Sequence, residues 1–323
     1  MDAPFDPDAQ AYLAMVRNAA RPPFETLSVE QARSFYRAGR DTVNLPQIAV
    51  GAVTDMAMPG RMGPIRLRHY LPDRRPRAEE GCILFFHGGG WVIGDLDTHD
   101  AICRHLVTHA DLPVIAVDYR LAPEHPFPAA VEDALDAHEW VFDNAFRLGF
   151  RPDRLVLAGD SAGGCLALVC SLAAAQMGRT RPAAQLLYYP VTDLRGGTPS
   201  YQSVSGVPIT AGTMSWFASH YLAVPSDAAD WRASPLIAPD FSGLPPTFLA
   251  IAGHDPLRDE GLALGQRICA AGGELTLRHL PGQVHGYLTV GRIIAEASRT
   301  LVASAAFVRD ALARVDAVCP DVG

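Results

Sequence analysis

The chain contains no lysine; all 27 of its basic side chains are arginine. That absence excludes a Walker-type phosphate-binding lysine, a Schiff-base amine and a Ser-Lys hydrolase dyad. Charge is sparse as well, at 19% of residues, and the balance is acidic, with 35 carboxylates against 27 arginines for a net −8. No basic cluster stands out. The densest run, Arg74-Arg75-Pro76-Arg77, reads as a solvated loop, so nucleic acid is not an expected partner. The six cysteines (Cys82, Cys103, Cys165, Cys170, Cys269, Cys319) show no Cys-x-x-Cys spacing, which gives little support to structural disulfides or a thiolate metal site. Apolar runs of about 18 residues are missing, and with them any segment expected to span a bilayer. The first residues lack the basic and apolar regions of a secretory signal. Together these absences predict a cytoplasmic protein with reduced thiols and no membrane association.

What is present is core material. The 323 residues are 49% apolar, enough at roughly 150 residues per domain for one large α/β domain or two ordinary ones. The first 45 residues carry helical patterns. Tyr12, Leu13, Val16, Ala19 and Ala20 recur at helical spacing, and Ser28 with Gln31 forms a capping-box start for a second helix bearing Phe35 and Tyr36. From Ile48 the pattern turns to strands. Ile65 and Leu67 alternate with Arg66 and Arg68 as in a half-exposed edge strand. Short continuous apolar runs at 82–86, 114–117, 155–158, 186–189 and 248–252 suit strands buried on both faces. Helix-sized segments at 128–144, 162–177 and 258–271 separate them, and this alternation predicts a mostly parallel, doubly wound sheet. Residues 196–240 break the rhythm with an amphipathic helix, capped by Thr210, on which Met214, Phe217, Ala218, Tyr221 and Leu222 share a face. A lid and a helix simply packed on the core both fit that pattern.

Four stretches carry chemistry. The apolar run 155–158 leads into Gly159-Asp160-Ser161-Ala162-Gly163 and then a small-residue helix, the strand–turn–helix setting of a nucleophile elbow. Strand 82–86 ends in His87-Gly88-Gly89-Gly90-Trp91, whose bare backbone N–H groups suit a developing oxyanion. Phosphate cradling fits poorly, because the G-x-G-x-x-G spacing is missing there. His87 reads as a brace for this loop. A serine nucleophile needs a base and an orienting carboxylate, which follow it in the order acid, then histidine. Asp255 ends the strand at 247–252, where sites of doubly wound sheets form. Asp259 and Glu260 fall in the first turn of the next helix, where the dipole already accounts for acidic residues. Among eleven histidines, His285 lies on the loop after a strand at 275–280. His279 lies within that strand, and His254 is too close to the acid in sequence.

Read together, these motifs and the stretch Tyr119-Arg120-Leu121-Ala122-Pro123-Glu124 resemble the bacterial hormone-sensitive-lipase-like esterases (family IV), in the branch bearing Asp at position 160. The resemblance implies an α/β-hydrolase fold with an eight-stranded, mostly parallel sheet and a helical cap. It divides the chain into an N-terminal cap segment 1–45, a core in two parts (46–195 and 236–323) and a cap insertion 196–235. It implies Ser161 as nucleophile, His285 as base and acid, and Asp255 as its orienting partner. The N–H groups of Gly88, Gly89 and Ala162 would be the oxyanion donors. No metal or organic cofactor is expected. The implied substrate is a small-molecule ester with a short acyl chain, and a homodimer is the implied assembly. An amidase or thioesterase would use the same triad. Gibberellin receptors, similar in fold, lack the histidine that His285 supplies here. Cys165 stands where the family commonly has Asn, and Tyr287 where it has Phe.

Overall fold

The structure, a computed structural model, describes residues 3–20, 22–74 and 80–318. Eight strands form one sheet: β1 (Ala52–Gly60), β2 (Gly63–Leu71), β3 (Cys82–Phe86), β4 (Val114–Asp118), β5 (Leu155–Asp160), β6 (Ala184–Tyr188), β7 (Thr247–His254) and β8 (Leu275–Val284). Their spatial order is β1-β2-β4-β3-β5-β6-β7-β8; β2 runs antiparallel to β1 and β4, and all other pairs are parallel. Among the described residues the α-helices are α1 (Pro7–Asn18), α2 (Val29–Val43), α3 (Asp100–Ala110), α4 (Ala129–Asp143), α5 (Ala145–Leu148), α6 (Ala162–Gln176), α7 (Pro199–Ser203), α8 (Ala211–Tyr221), α9 (Arg258–Ala270) and α10 (Glu296–Val318).

The apolar runs become two-sided strands because each alternate residue has its own core to enter. On β3, Leu84 and Phe86 point to one face with Leu155 and Leu157 of β5, while Ile83 and Phe85 point to the other with Val156 and Ala158. Helices cover both faces, which is what lets central parallel strands dispense with polar positions. Helix α6 is buried from Ala162 to Ala174, so its small side chains are the condition for seating it directly on the sheet.

At the ends of the sheet the sequence expectation needs correction. The alternating segment at Ile65–Leu67 is not the edge: β2 has a neighbour on each side, and β1 is the outer strand. Its alternation arises because Ile65 and Leu67 enter the core while Arg66 pairs with Asp118 and Arg68 with Asp55 and Asp97 at the surface. The capping box at Ser28 is present in both directions, with Gln31 N–H donating to Ser28 Oγ and Ser28 N–H to Gln31 Oε1. Thr210 caps α8 through Thr213 N–H. Ala19 and Ala20, expected on the inner stripe of the first helix, are exposed beyond its end.

Arg74 pairs with Glu80 and Asp111; Arg75, Pro76 and Arg77 lie outside the described residues, as does Cys319. The other five cysteines are free thiols. Among the described residues no helix is long and apolar enough to cross a membrane.

Candidate active site

Strand β5 delivers Ser161 at the carboxyl end of the sheet. Its backbone sits at φ 54° and ψ −117°, a strained conformation for a residue with a Cβ. The turn is tight enough that a Cβ on Gly159 would strike the Gly163 backbone, and one on Gly163 would strike the carbonyls of Phe86 and His87. Glycine at both positions is the condition for laying α6 across the ends of β3 and β5.

Two other elements bring partners to that serine. β7 ends near Asp255, which is fully buried and accepts the Leu257 N–H at Oδ1. The loop after β8 carries His285, whose Nδ1 lies 2.7 Å from Asp255 Oδ2 and whose Nε2 lies 2.9 Å from Ser161 Oγ. The expected acid, histidine and serine are thus in one hydrogen-bonded line. The competing residues are occupied elsewhere. Asp259 accepts from Ser200 N–H, and Glu260 accepts from the N–H groups of Thr192 and Asp193. Burial pushes the Glu260 carboxyl well above the ordinary range, against those donors. His254 stacks on Phe5 at 3.7 Å, and His279 stays within β8.

The loop after β3 requires one correction. Gly88 N–H donates to Asp160 Oδ1 at 2.8 Å, so it is committed to a buried carboxylate and is not free for an oxyanion. Gly89 and Gly90 line the cavity with Ser161, and no protein acceptor meets their N–H groups or that of Ala162 among the described residues. The pair to set beside Ala162 is therefore Gly89 and Gly90. The sequence does not separate these three positions, because three consecutive glycines offer nothing to tell one N–H from the next.

A buried polar cluster fixes this loop from behind. Asp160 also lies 3.3 Å from His99 Nε2. Burial works against its charged form, yet His99, the Gly88 N–H and His87 hold the carboxyl below the usual carboxylate range. His87 approaches Gly88 O through Nδ1 at 2.8 Å, stacks on Tyr119 at 4.3 Å, and its own carbonyl accepts the Tyr119 hydroxyl. Burial, with His99 beside it, pushes the His87 imidazole down to about 4. It is the brace its sequence position indicated. No sequence signal marked His99.

The serine opens onto a cavity of about 500 Å³ lined mainly by apolar side chains from α1, α2, α8 and the residues between α1 and α2. Phe217 of α8 sits directly over Gly90, where any Cβ would enter its ring. Phe24 lies 6.0 Å from Phe217, and Glu25 accepts the Thr213 hydroxyl at 3.0 Å, so the N-terminal segment and α8 close the cavity jointly. The two departures from the family pattern leave this space alone. Cys165 is buried, with its thiol pushed up by burial, and Tyr287 sends its hydroxyl to Thr300.

Comparison with known proteins places this geometry. A family model described as alpha/beta hydrolase fold matches residues 83–289. The carboxylic ester hydrolase LipN of Mycobacterium tuberculosis is 45% identical over 80% of this chain and 70% of its own length. An ethyl acetate hydrolase of Pseudomonas putida is 38% identical over 92% of this chain and 96% of its own. Among solved structures, an ester hydrolase from the metagenome of Lake Arreo superposes with a TM-score of 0.91 at 36% identity, covering 94% of this chain and 98% of that one. This chain belongs to the α/β-hydrolase fold family and, within it, to the hormone-sensitive-lipase-like carboxylic ester hydrolases that its motifs resemble.

Proposed function

We propose that the protein hydrolyses short-chain acyl esters in two steps, with Ser161 as nucleophile, His285 as general base and acid, and Asp255 as the residue that orients His285. The observation that carries this reading is the unbroken line from Asp255 through His285 to Ser161 Oγ, at 2.7 and 2.9 Å, on the floor of an apolar cavity. Asp255 accepts from Nδ1–H and so leaves Nε2 to take the serine proton. The oxygen attacks the ester carbonyl, and the Gly89, Gly90 and Ala162 N–H groups receive the oxyanion. Each such donor contributes about 10²–10³ in rate. The alcohol leaves with the proton from His285; water then repeats the sequence on the acyl-enzyme. Every group in these steps comes from the protein or from water.

The segments 1–45 and 196–235 form the cap in this reading, over a core of 46–195 and 236–323. Support comes from the cavity itself, whose roof is drawn from these segments and whose floor is drawn from the core. Acyl chains from acetate to hexanoate in size are what the family resemblance implies. The open edge of β8, where Leu277 is exposed, supports pairing of two copies, and the acidic balance and free thiols support a cytoplasmic protein with no nucleic-acid partner. The test is a panel of aryl esters of rising chain length, with matched amides and thioesters, run on the wild type and Ser161→Ala. Short-ester turnover that vanishes in the variant supports the reading. A preference for amides or thioesters, or an optimum at long chains, overturns it.

A further inference from the structure

We propose that the site is specialised for esters carrying a carboxylate at the end remote from the scissile bond, received by Arg40. This inference rests on the ester-hydrolase reading above and narrows its substrate class.

Helix α2 carries three arginines toward the body of the protein, and two are neutralised. Arg33 pairs with Glu124 at 2.6 Å while also donating to the carbonyls of Val92 and Ala122; Arg37 pairs with Asp95. Arg40 differs. It lines the same cavity as Ser161 and His285, and no carboxylate is paired with it among the described residues. One end of its guanidinium is fixed: Nη1 donates to Thr289 O at 2.7 Å, and Cζ lies 4.6 Å over the Tyr36 ring. Nε is buried without a hydrogen-bond partner and lies out of a ligand's reach, whereas no partner is found for Nη2 among the described residues.

A cation held in an apolar cavity without a counter-charge is unfavourable unless a ligand supplies one. The carboxylates lining the cavity do not fill this need. Asp160 is engaged by Gly88 N–H and His99, and Glu25 accepts the Thr213 hydroxyl at the exposed rim. Arg17, also on the lining, adds a second positive charge with no ion pair among the described residues. A guanidinium already pinned through Nη1 presents Nη2 in a fixed direction and keeps its full charge, which matches a carboxylate better than a hydroxyl or an alkyl end. The substrate class is therefore a half-ester of a dicarboxylic acid or an acyl ester of a hydroxy acid. Hydrolysis breaks the ester C–O bond, adds the water hydroxyl to the acyl carbon and returns the proton to the alcohol.

The experiment compares kcat/KM for monoethyl glutarate with ethyl pentanoate, and for 4-acetoxybutanoate with butyl acetate, in the wild type, Arg40→Gln, Arg40→Met and Arg40→Lys. The expected result is that one carboxylate substrate exceeds its neutral match by about 10-fold or more at low salt. That advantage shrinks as ionic strength rises, collapses toward a ratio of one in Arg40→Gln and Arg40→Met, and survives in part in Arg40→Lys. If neither carboxylate substrate is preferred, or if the variants lower charged and neutral substrates by the same factor, Arg40 is only a clamp on Thr289 and the proposal falls. Should the variants fail to fold, the wild type alone decides: glutarate must inhibit neutral-ester hydrolysis at least several-fold more tightly than glutaramide, and equal inhibition overturns the proposal. No turnover of any ester by the wild type, or turnover that persists in Ser161→Ala, would instead sink the esterase reading and this inference with it.

Discussion

The Gly88 N–H and the Asp160 carboxylate form a hydrogen bond of 2.8 Å across the gap between the loop after β3 and the elbow after β5. These residues are 72 positions apart, yet the bond sets where the next two glycines aim. Asp160 is one residue from Ser161, so one rigid unit positions both the nucleophile and the loop facing it.

Replacing Asp160 with Asn removes the charge from that bond and from the contact with His99. The expected outcome is a fall in kcat of about 10- to 100-fold with little change in KM, since the loss falls on transition-state stabilisation. A rise in KM at constant kcat would show that Asp160 acts on substrate binding instead.

Gly90→Ala places a methyl group in the Phe217 ring and forces a side chain onto a backbone at φ +58°. Activity should drop at least 100-fold. Truncating Phe217 to Ala in the same chain relieves the collision but not the backbone strain, so recovery should be partial. Full recovery would mean that the collision with Phe217 accounts for the whole loss and the backbone at position 90 is not strained by a side chain.

For the three groups in line, Ser161→Ala and His285→Ala should each lower kcat by about 10⁶-fold and Asp255→Asn by about 10⁴-fold. Ser161→Ala combined with His285→Ala should cost little more than either alone. Additive losses in steady-state kinetics would show that the residues do not work as a unit.

Acid stability follows from His87, which is buried and held at about 4 when folded. Below the ordinary value near 6.5, the unfolded chain takes up a proton that the folded chain refuses. Stability therefore falls as pH drops from about 6.5 to about 4 and is flat in this respect below that, a loss on the order of 3 kcal/mol. Glu260, with its folded value raised, contributes the opposite slope above the ordinary carboxyl value. Comparing urea unfolding of the wild type and His87→Gln across this range isolates the first effect; identical slopes would contradict it.

Ser28→Ala removes the acceptor for Gln31 N–H at the start of α2. The cost should be about 1 kcal/mol, read as a Tm lower by roughly 2 °C for a chain of this size.

Much of this arrangement was legible before any coordinates. The parallel core could be read because β3, β4, β5, β6 and β7 are short apolar runs whose only explanation is burial on both faces. Ser161, Asp255 and His285 could be read because a nucleophile elbow, a strand-terminal acid and a post-strand histidine each occupy a position the chemistry requires. Other features were not legible. The edge of the sheet was misplaced because alternation in β2 reports that one side of the strand is wet, which is also true of a penultimate strand. The role of Gly88 was misassigned because it depends on Asp160 folding back from another strand, a contact no local pattern encodes. Arg40 went unremarked for the same reason. What distinguishes it from Arg33 and Arg37 on the same helix is the lack of an opposing acid beside the cavity, and that emerges only when the neighbours of all three are in place.

The bond from Thr213 to Glu25, with Phe24 set against Phe217, joins two stretches of chain 188 residues apart on the lining of the cavity onto which Ser161 opens. Each stretch is held partly by the other. That contact is where the breadth of the cavity meets the give of the chain: loosening it leaves the triad in place and changes only how much room lies over it. A point change at Thr213 would widen or narrow tolerance without touching any atom that makes or breaks a bond.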